Sequence, residues 1–204
     1  MKKQVVFVGG GDSYSNYDEY IRALKNAPIR NPLGEKSKRW TATLREDLGD
    51  DYELYMIPMP NTDNAVYTEW KIWFEKYFTY LHDGVILVGW SLGGMFLAKY
   101  LSEEETPFSI DALFLLAAPC GEYDDGKGND CGSFRFNSEL LSNIEGKVAK
   151  ITVLHSKDDF VVPYEHALKY KEALPNTELV TFEDTNHFLV EELPELVEMI
   201  KQTE

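Results

Sequence analysis

The sequence predicts an α/β fold, with a parallel sheet of about six strands and helices on both faces. Six short β-rich runs alternate along the chain with segments of helical periodicity, which is the pattern of right-handed βαβ units. Several of the runs are nearly all apolar, as expected for strands that are covered on both faces. We place the strands at residues 5–8, 53–57, 85–88, 112–116, 151–155 and 178–182. The length of 204 residues suits one domain over residues 1–204.

Apolar side chains at intervals of three and four residues predict the helices. The three clearest stripes lie within residues 17–24, 70–81 and 193–200. The middle stripe is rich in aromatic residues, and we expect it to pack on the sheet rather than to bind a ligand. Two long irregular stretches, 27–39 and 119–136, are rich in Pro, Gly or Asp, and loops of this length often form the rim of a functional site.

The charge and the apolar runs of the sequence limit the expected partners and the expected cellular location. The formal net charge of −15 repels phosphate backbones and anionic lipid, so we expect no binding to nucleic acid or membranes. The apolar run at 5–8 is too short for a signal peptide, and no run approaches the ~20 residues of a membrane span. We therefore expect a soluble, cytoplasmic protein. Cys120 and Cys131 lie in one loop, and whether they pair is left open.

The sharpest local motif is G-x-S-x-G at residues 89–93, centred on Ser91. It follows the apolar run at 84–88 and precedes a helical segment at 95–101, which is the strand–turn–helix setting of a nucleophile elbow. The turn would lift the serine hydroxyl above the sheet at a helix N-terminus. There the backbone N–H of Leu92 can face a developing oxyanion.

A second oxyanion donor is expected from the loop after a neighbouring strand. Three glycines follow the first strand, and we favour Gly11, with Gly10 as the alternative, because a glycine lets the backbone come close to a substrate. The same stretch does not fit a phosphate-binding loop, since neither G-x-G-x-x-G nor G-K-[ST] is present. Trp90 is a candidate for the substrate pocket, although packing behind the elbow would equally explain it.

A serine needs a base to take its proton. Of the four histidines, only His187 is expected in a loop at the carboxyl end of the last strand, on the Ser91 side of the sheet. The acid that orients it should leave a strand end between Ser91 and His187. Asp159 is preferred there and Asp158 is the alternative. The order Ser…Asp…His is that of the α/β-hydrolases.

On these residues the chain resembles the α/β-hydrolase superfamily, and within it the small serine hydrolases that include retinoblastoma-binding protein 9. The resemblance is carried by residues 89–94, 158–163 and 186–188, with a further similarity at 58–60, and it spans most of the chain from about residue 52 onward. In hydrolases of this type the acid lies four positions before the proline of a D-x-V-V-P pattern, which falls on Asp159.

The resemblance also implies an architecture: a minimal sheet without a large cap domain, in the order 2-1-3-4-5-6. The crevice would then open between strands 1 and 3, where the order reverses. The superfamily often has His-Gly after its first core strand, and this chain has Gly9-Gly10 instead. The stretches 27–39 and 119–136 do not match the small family.

Together these features favour a serine hydrolase that cleaves a small carboxylic ester or thioester and needs no metal or organic cofactor. One alternative is a protein-binding module on the same fold, because the resemblance links the small family to a protein partner. A second alternative is metal binding at the acidic stretch 124–130, which does not meet the EF-hand pattern.

Overall fold

Six parallel strands form one sheet in a computed structural model that describes residues 2–29, 31, 33, 38–126 and 129–203. The strands are β1 (Lys3–Val8), β2 (Tyr52–Ile57), β3 (Val85–Trp90), β4 (Ile110–Leu116), β5 (Val148–Ser156) and β6 (Glu178–Phe182). Their order is β2-β1-β3-β4-β5-β6, and every neighbouring pair is parallel. All six predicted strands and the predicted order are therefore confirmed, with the order reversing between β1 and β3.

The described part of the chain forms six α-helices, and five of them, all but the first, contribute side chains to the cores on the two faces of the sheet. The six helices are α1 (Tyr17–Asn26), α2 (Trp40–Leu48), α3 (Tyr67–Lys76), α4 (Leu92–Glu103), α5 (Glu165–Ala173) and α6 (Pro194–Lys201). The core on one face includes side chains from α3, α4 and α5, and the core on the other includes side chains from α2 and α6. In the described part of the chain, no helix combines the length and the apolar character that crossing a membrane requires.

Alternation along the strands supplies both cores. Val6 and Val8 of β1 face one core, while Val5 and Phe7 face the other. This two-residue period explains why the central strands are apolar at almost every position.

The aromatic stripe packs into the core as expected, but its α-helix is shorter than the stripe. Trp70 and Phe74 of α3 are fully buried, and their rings lie 5.7 and 5.4 Å from Phe96 of α4. The α-helix ends at Lys76, and Tyr77–Tyr80 forms a 3₁₀ turn. A tighter turn is common at a helix end, and here it brings the chain round towards the start of β3.

The first predicted helix is present as α1, yet none of its residues is buried. Asn16 caps it by accepting a hydrogen bond from the backbone N–H of Glu19 at 3.0 Å. Tyr17 and Leu24 are 67% and 57% exposed. The periodicity therefore predicted the helix correctly, whereas the described residues cover its apolar side only in part. Most of the following stretch at 30–37 lies outside those residues.

The 119–136 stretch, described apart from residues 127 and 128, is anchored in the core. Phe134 is fully buried, with its ring 5.0 Å from that of Trp70. Cys120 and Cys131 are buried as free thiols. Burial raises the pKa of both thiols to about 12, so both stay protonated at neutral pH.

The start of α4 lies directly against the end of β1. A Cβ atom at Gly93 would fall 2.1 Å from the carbonyl oxygen of Val8 and 2.5 Å from that of Gly9. Both obstructing atoms are backbone, so neither can move away easily. This contact fixes where the helix begins and hence where Ser91 stands relative to β1.

We expect Gly93→Ala to lower the free energy of unfolding by about 2 kcal/mol or more, because the methyl group forces α4 away from β1. Chemical denaturation followed by circular dichroism measures this change.

The matched control is Gly146→Ala, since a Cβ there meets open space. This change should stay within about 0.5 kcal/mol. If Gly93→Ala were as mild as its control, the close approach of α4 to β1 would be wrong.

Candidate active site

Ser91 lies in the sharp turn between β3 and α4. Its backbone has φ 56° and ψ −125°, a conformation that residues other than glycine rarely adopt. The turn is held by the Ser91 N–H, which donates to the Leu116 carbonyl of β4 at 2.8 Å. The Ser91 carbonyl accepts from Gly94 and Met95 at 3.0 and 3.2 Å. Hydrogen bonds on both sides therefore hold the strained turn, and the side chain stands at the carboxyl end of the sheet.

His187 connects this serine to a carboxylate. Its Nε2 lies 2.9 Å from Ser91 Oγ, and its Nδ1 lies 2.8 Å from Asp159 Oδ2. An ionised carboxylate only accepts, so Nδ1 carries the proton and Nε2 is free to accept from the hydroxyl. Three side chains from the ends of three different strands thus form one continuous hydrogen-bond chain.

The side chain of Asp159 is fully buried and surrounded by donors. Its Oδ1 accepts from the backbone N–H groups of Val161 and Val162 at 2.8 and 2.9 Å. Burial raises the pKa of this carboxyl, but hydrogen bonds from His155 and His187 outweigh burial and hold the pKa well below its usual range. The carboxylate therefore remains ionised opposite the imidazole.

Asp158, the alternative acid, has a different set of contacts. Its Oδ1 accepts from Ser156 Oγ at 2.5 Å and from the Asn186 backbone N–H at 2.8 Å. It therefore holds the start of the loop that carries His187, whereas Asp159 is the carboxylate that accepts the hydrogen bond from the imidazole.

His155 is the residue at this site that the sequence interpretation missed. Among the histidines, the sequence predicts a site position for His187 alone, yet the fully buried His155 ring places Nε2 3.4 Å from Asp159 Oδ2 and 2.9 Å from the Val162 carbonyl. Its position gave one usable signal. It lies in β5 four residues before Asp159, so a tight loop can bring the two side chains together.

The other two histidines lie elsewhere. His166 is buried and accepts a hydrogen bond from the Cys120 backbone N–H at Nδ1, at 2.9 Å. Burial, with a smaller contribution from Lys169, lowers the pKa of His166 to about 4, which keeps its ring neutral. His82 contacts the neighbouring Asp83 carbonyl. Neither has a hydrogen bond to Ser91 or Asp159 in the described structure.

The proposed oxyanion donors belong to two segments next to Ser91, the start of α4 and the glycine loop after β1. Leu92 is the first residue of α4, so the helix does not use its N–H. A Cβ built on Gly10 would lie 3.0 Å from Ser91 Cβ, so the glycine loop runs beside Ser91. Gly11 packs on the Thr62 carbonyl, which accepts the next N–H, that of Asp12, at 2.8 Å.

Trp90, the pocket candidate, is half-buried beside the imidazole. Its ring centroid lies 5.9 Å from that of His187 and 6.2 Å from that of Trp40. Its indole N–H donates to the His187 carbonyl at 3.1 Å. These contacts connect the residue before the serine to the loop that carries the histidine.

The carboxylates of the acidic stretch 124–130 accept hydrogen bonds from protein groups, both in this loop and at Ser15. Asp124 accepts from the Gly126 backbone N–H at 2.7 Å, and Asp130 pairs with Arg135. Residues 127 and 128 fall outside the described structure. Among the residues that it does describe, no cluster of three or more His, Cys, Asp or Glu is arranged to hold a metal ion.

Known proteins provide two kinds of match. Residues 33–199 match the family described as serine hydrolase. No curated protein matches the chain. Among solved structures, the ydeN gene product of B. subtilis superposes with a TM-score of 0.75 at 18% identity, covering 99% of this chain and 98% of that one.

Two more distant structures have the same fold. The esterase domain of a Rhodothermus marinus protein gives a TM-score of 0.57 at 15% identity, covering 97% of this chain and 82% of that one. Alpha/beta hydrolase domain-containing protein 10 from mouse gives 0.54 at 15%, covering 97% and 88%. At such low identity these likenesses support the fold alone, which is a minimal α/β-hydrolase fold as predicted. The family match covers most of the sequence, so this chain belongs to the serine hydrolase family.

Proposed function

We propose that the protein hydrolyses small carboxylic esters or thioesters through an acyl-enzyme on Ser91. One observation carries this proposal. His187 is hydrogen-bonded at one ring nitrogen to the Ser91 hydroxyl and at the other to the buried carboxylate of Asp159. A hydroxyl, a base and an orienting anion in this order are the components of nucleophilic acyl transfer.

In the acylation half, Ser91 Oγ attacks the carbonyl carbon of the substrate while His187 Nε2 takes the hydroxyl proton. The carbonyl oxygen becomes an oxyanion, for which we assign the N–H of Leu92 and an N–H from Gly10 or Gly11 as donors. Asp159 stabilises the imidazolium and stays ionised. The tetrahedral intermediate then expels the alcohol or thiol, which leaves with the proton from His187.

In the deacylation half, water replaces the leaving group. His187 takes a proton from the water as its oxygen attacks the acyl carbon. Collapse of the second tetrahedral intermediate returns that proton to Ser91 Oγ and releases the carboxylic acid. The cycle is redox-neutral and balances with one water consumed, so it calls for no cofactor.

Esters and thioesters are better first substrates than amides, because an alcohol or thiol leaving group depends less on protonation by His187 than an amine does. The structural likeness to an esterase domain agrees with this choice. The cytoplasmic location, the single-domain assignment and a protein partner stay predictions.

A rate series on p-nitrophenyl esters of increasing acyl length, with an acyl thioester alongside, tests the proposal. We expect the wild type to turn over the short esters. Ser91→Ala should lower kcat/KM by at least about 10⁴-fold, because the nucleophile is lost. Equal rates for the two proteins on every substrate would refute the acyl-enzyme.

The two neighbouring aspartates give a second prediction. Asp159→Asn should lower kcat/KM by about 10³–10⁴-fold, because a neutral amide neither fixes the tautomer nor stabilises the imidazolium. Asp158→Asn keeps an oxygen that can accept from Asn186, so its kcat/KM should fall by less than about tenfold.

Steady-state rates of the two purified variants on the same ester decide between the carboxylates. Circular dichroism confirms that both are folded. The reverse ranking would assign the orienting role to Asp158 and contradict our choice.

A further inference from the structure

We infer that Trp40 and Trp90 are positioning residues for His187, a role that rests on the function proposed above. Each indole N–H donates to a backbone carbonyl of the histidine loop, by which we mean residues 185–190. Neither tryptophan is assigned contact with the reacting atoms. Their effect passes through the backbone that carries the imidazole.

The histidine loop is held by an unbroken run of four carbonyls. Each accepts a hydrogen bond from α2, from the residue before α2, or from the end of β3. The pairs are Trp90 Nε1 to His187 O at 3.1 Å, Trp40 Nε1 to Phe188 O at 3.0 Å, Arg39 Nη1 to Leu189 O at 2.7 Å and Trp40 N to Val190 O at 3.1 Å. Four successive acceptors leave this stretch of backbone little freedom to shift.

The loop needs such restraint because its backbone is strained on both sides of the base. Asn186 has φ 46° and Phe188 has φ 52°. Asparagine tolerates the left-handed region, but a bulky aromatic residue there is a genuine outlier. A conformation of this kind persists only where the surrounding contacts over-determine it. The two indoles supply two of those contacts.

The tryptophans are themselves anchored to the sheet. Trp40 is 2% exposed, and its ring meets that of Phe7 of β1 edge-on at 5.6 Å. Trp90 packs against Trp40 at 6.2 Å between ring centroids. The indole N–H groups are therefore fixed in space by the core, and they can hold the loop rather than follow it.

Trp90 has a second connection to the site, so we expect its replacement to affect the rate more than that of Trp40. It directly precedes Ser91 in the chain, while its side chain donates to the carbonyl of His187. One residue thus connects the nucleophile covalently and the base by a hydrogen bond. Loosening it would change the Oγ–Nε2 separation, and misplacement of a reacting group by about 1 Å can reduce the rate about 100-fold.

The test replaces each indole with a phenyl ring, which keeps an aromatic side chain and removes the N–H donor. Trp90→Phe should lower kcat for a p-nitrophenyl ester by about tenfold or more with little change in KM. Trp40→Phe should also lower kcat. Trp40→Phe also covers the case in which Trp90→Phe does not fold.

Trp70→Phe is the matched control. Trp70 is fully buried on the opposite face of the sheet, and its indole N–H also donates to a backbone carbonyl, that of Pro60, at 2.8 Å. Its replacement should lower stability towards urea like the other two and leave kcat unchanged. A shared loss of stability therefore cannot explain a loss of rate confined to Trp40→Phe and Trp90→Phe.

A spectroscopic readout makes the test independent of turnover. The proton on His187 Nδ1, hydrogen-bonded to Asp159, should give a resolved low-field NMR resonance in the wild type and in Trp70→Phe. It should broaden or disappear in Trp90→Phe and Trp40→Phe as the ring becomes mobile. If both variants matched Trp70→Phe in kcat and in this resonance, the inference would be wrong. If the wild type had no esterase activity, the proposed function would be wrong. The His187 resonance in the variants would still show whether the two tryptophans position the imidazole.

Discussion

An imidazole can accept a proton from a hydroxyl only while its other nitrogen is held and its positive charge can be stabilised. In this protein the ends of three parallel strands meet that constraint together. Ser91 follows β3, Asp159 follows β5 and His187 follows β6. Because parallel strands end at one edge of a sheet, His187 comes within hydrogen-bonding distance of Ser91, 96 positions before it, and of Asp159, 28 positions before it. The sheet order therefore brings together the three side chains on which the proposed chemistry depends.

The backbone is strained at three residues of this site, and contacts with the surrounding fold have to stabilise it. Ser91, Asn186 and Phe188 all have left-handed backbones, and each such residue costs on the order of 1 kcal/mol or more. Backbone hydrogen bonds with β4 and α4 fix Ser91. The indoles of Trp40 and Trp90, together with Arg39, fix the loop that contains Asn186 and Phe188. The buried donors around Asp159 act in the same sense, because they stabilise an anion that burial alone would neutralise.

Much of the fold was predictable because strands and helices leave local periodicity in a sequence. The run at 84–88 and the G-x-S-x-G motif were enough to predict the β3–α4 turn that holds Ser91. The sequence favours Asp159 over Asp158, and the spacing to Pro163 in the hydrolases that the chain resembles supports that preference. The structure gives the geometric reason for it, since Asp158 instead accepts from the backbone of Asn186.

What the sequence could not predict depends on contacts between distant segments. Trp40 lies 147 positions before His187, and nothing local in the 27–39 stretch or in α2 indicates that its indole reaches the histidine loop. The exposed apolar side of α1 is a similar case, since periodicity predicts a helix but not what covers it. The contact between His155 and Asp159 was partly predictable, because the two residues are only four positions apart.

The central claim is that Ser91 is the activated nucleophile of this chain. Labelling the purified protein with a fluorophosphonate, followed by peptide mapping by mass spectrometry, tests it most directly. Our account predicts a single phosphonyl adduct on the peptide that contains Ser91, on the side-chain oxygen that faces His187. An adduct on a different residue, or no adduct under conditions that fully label a reference serine esterase, would contradict it.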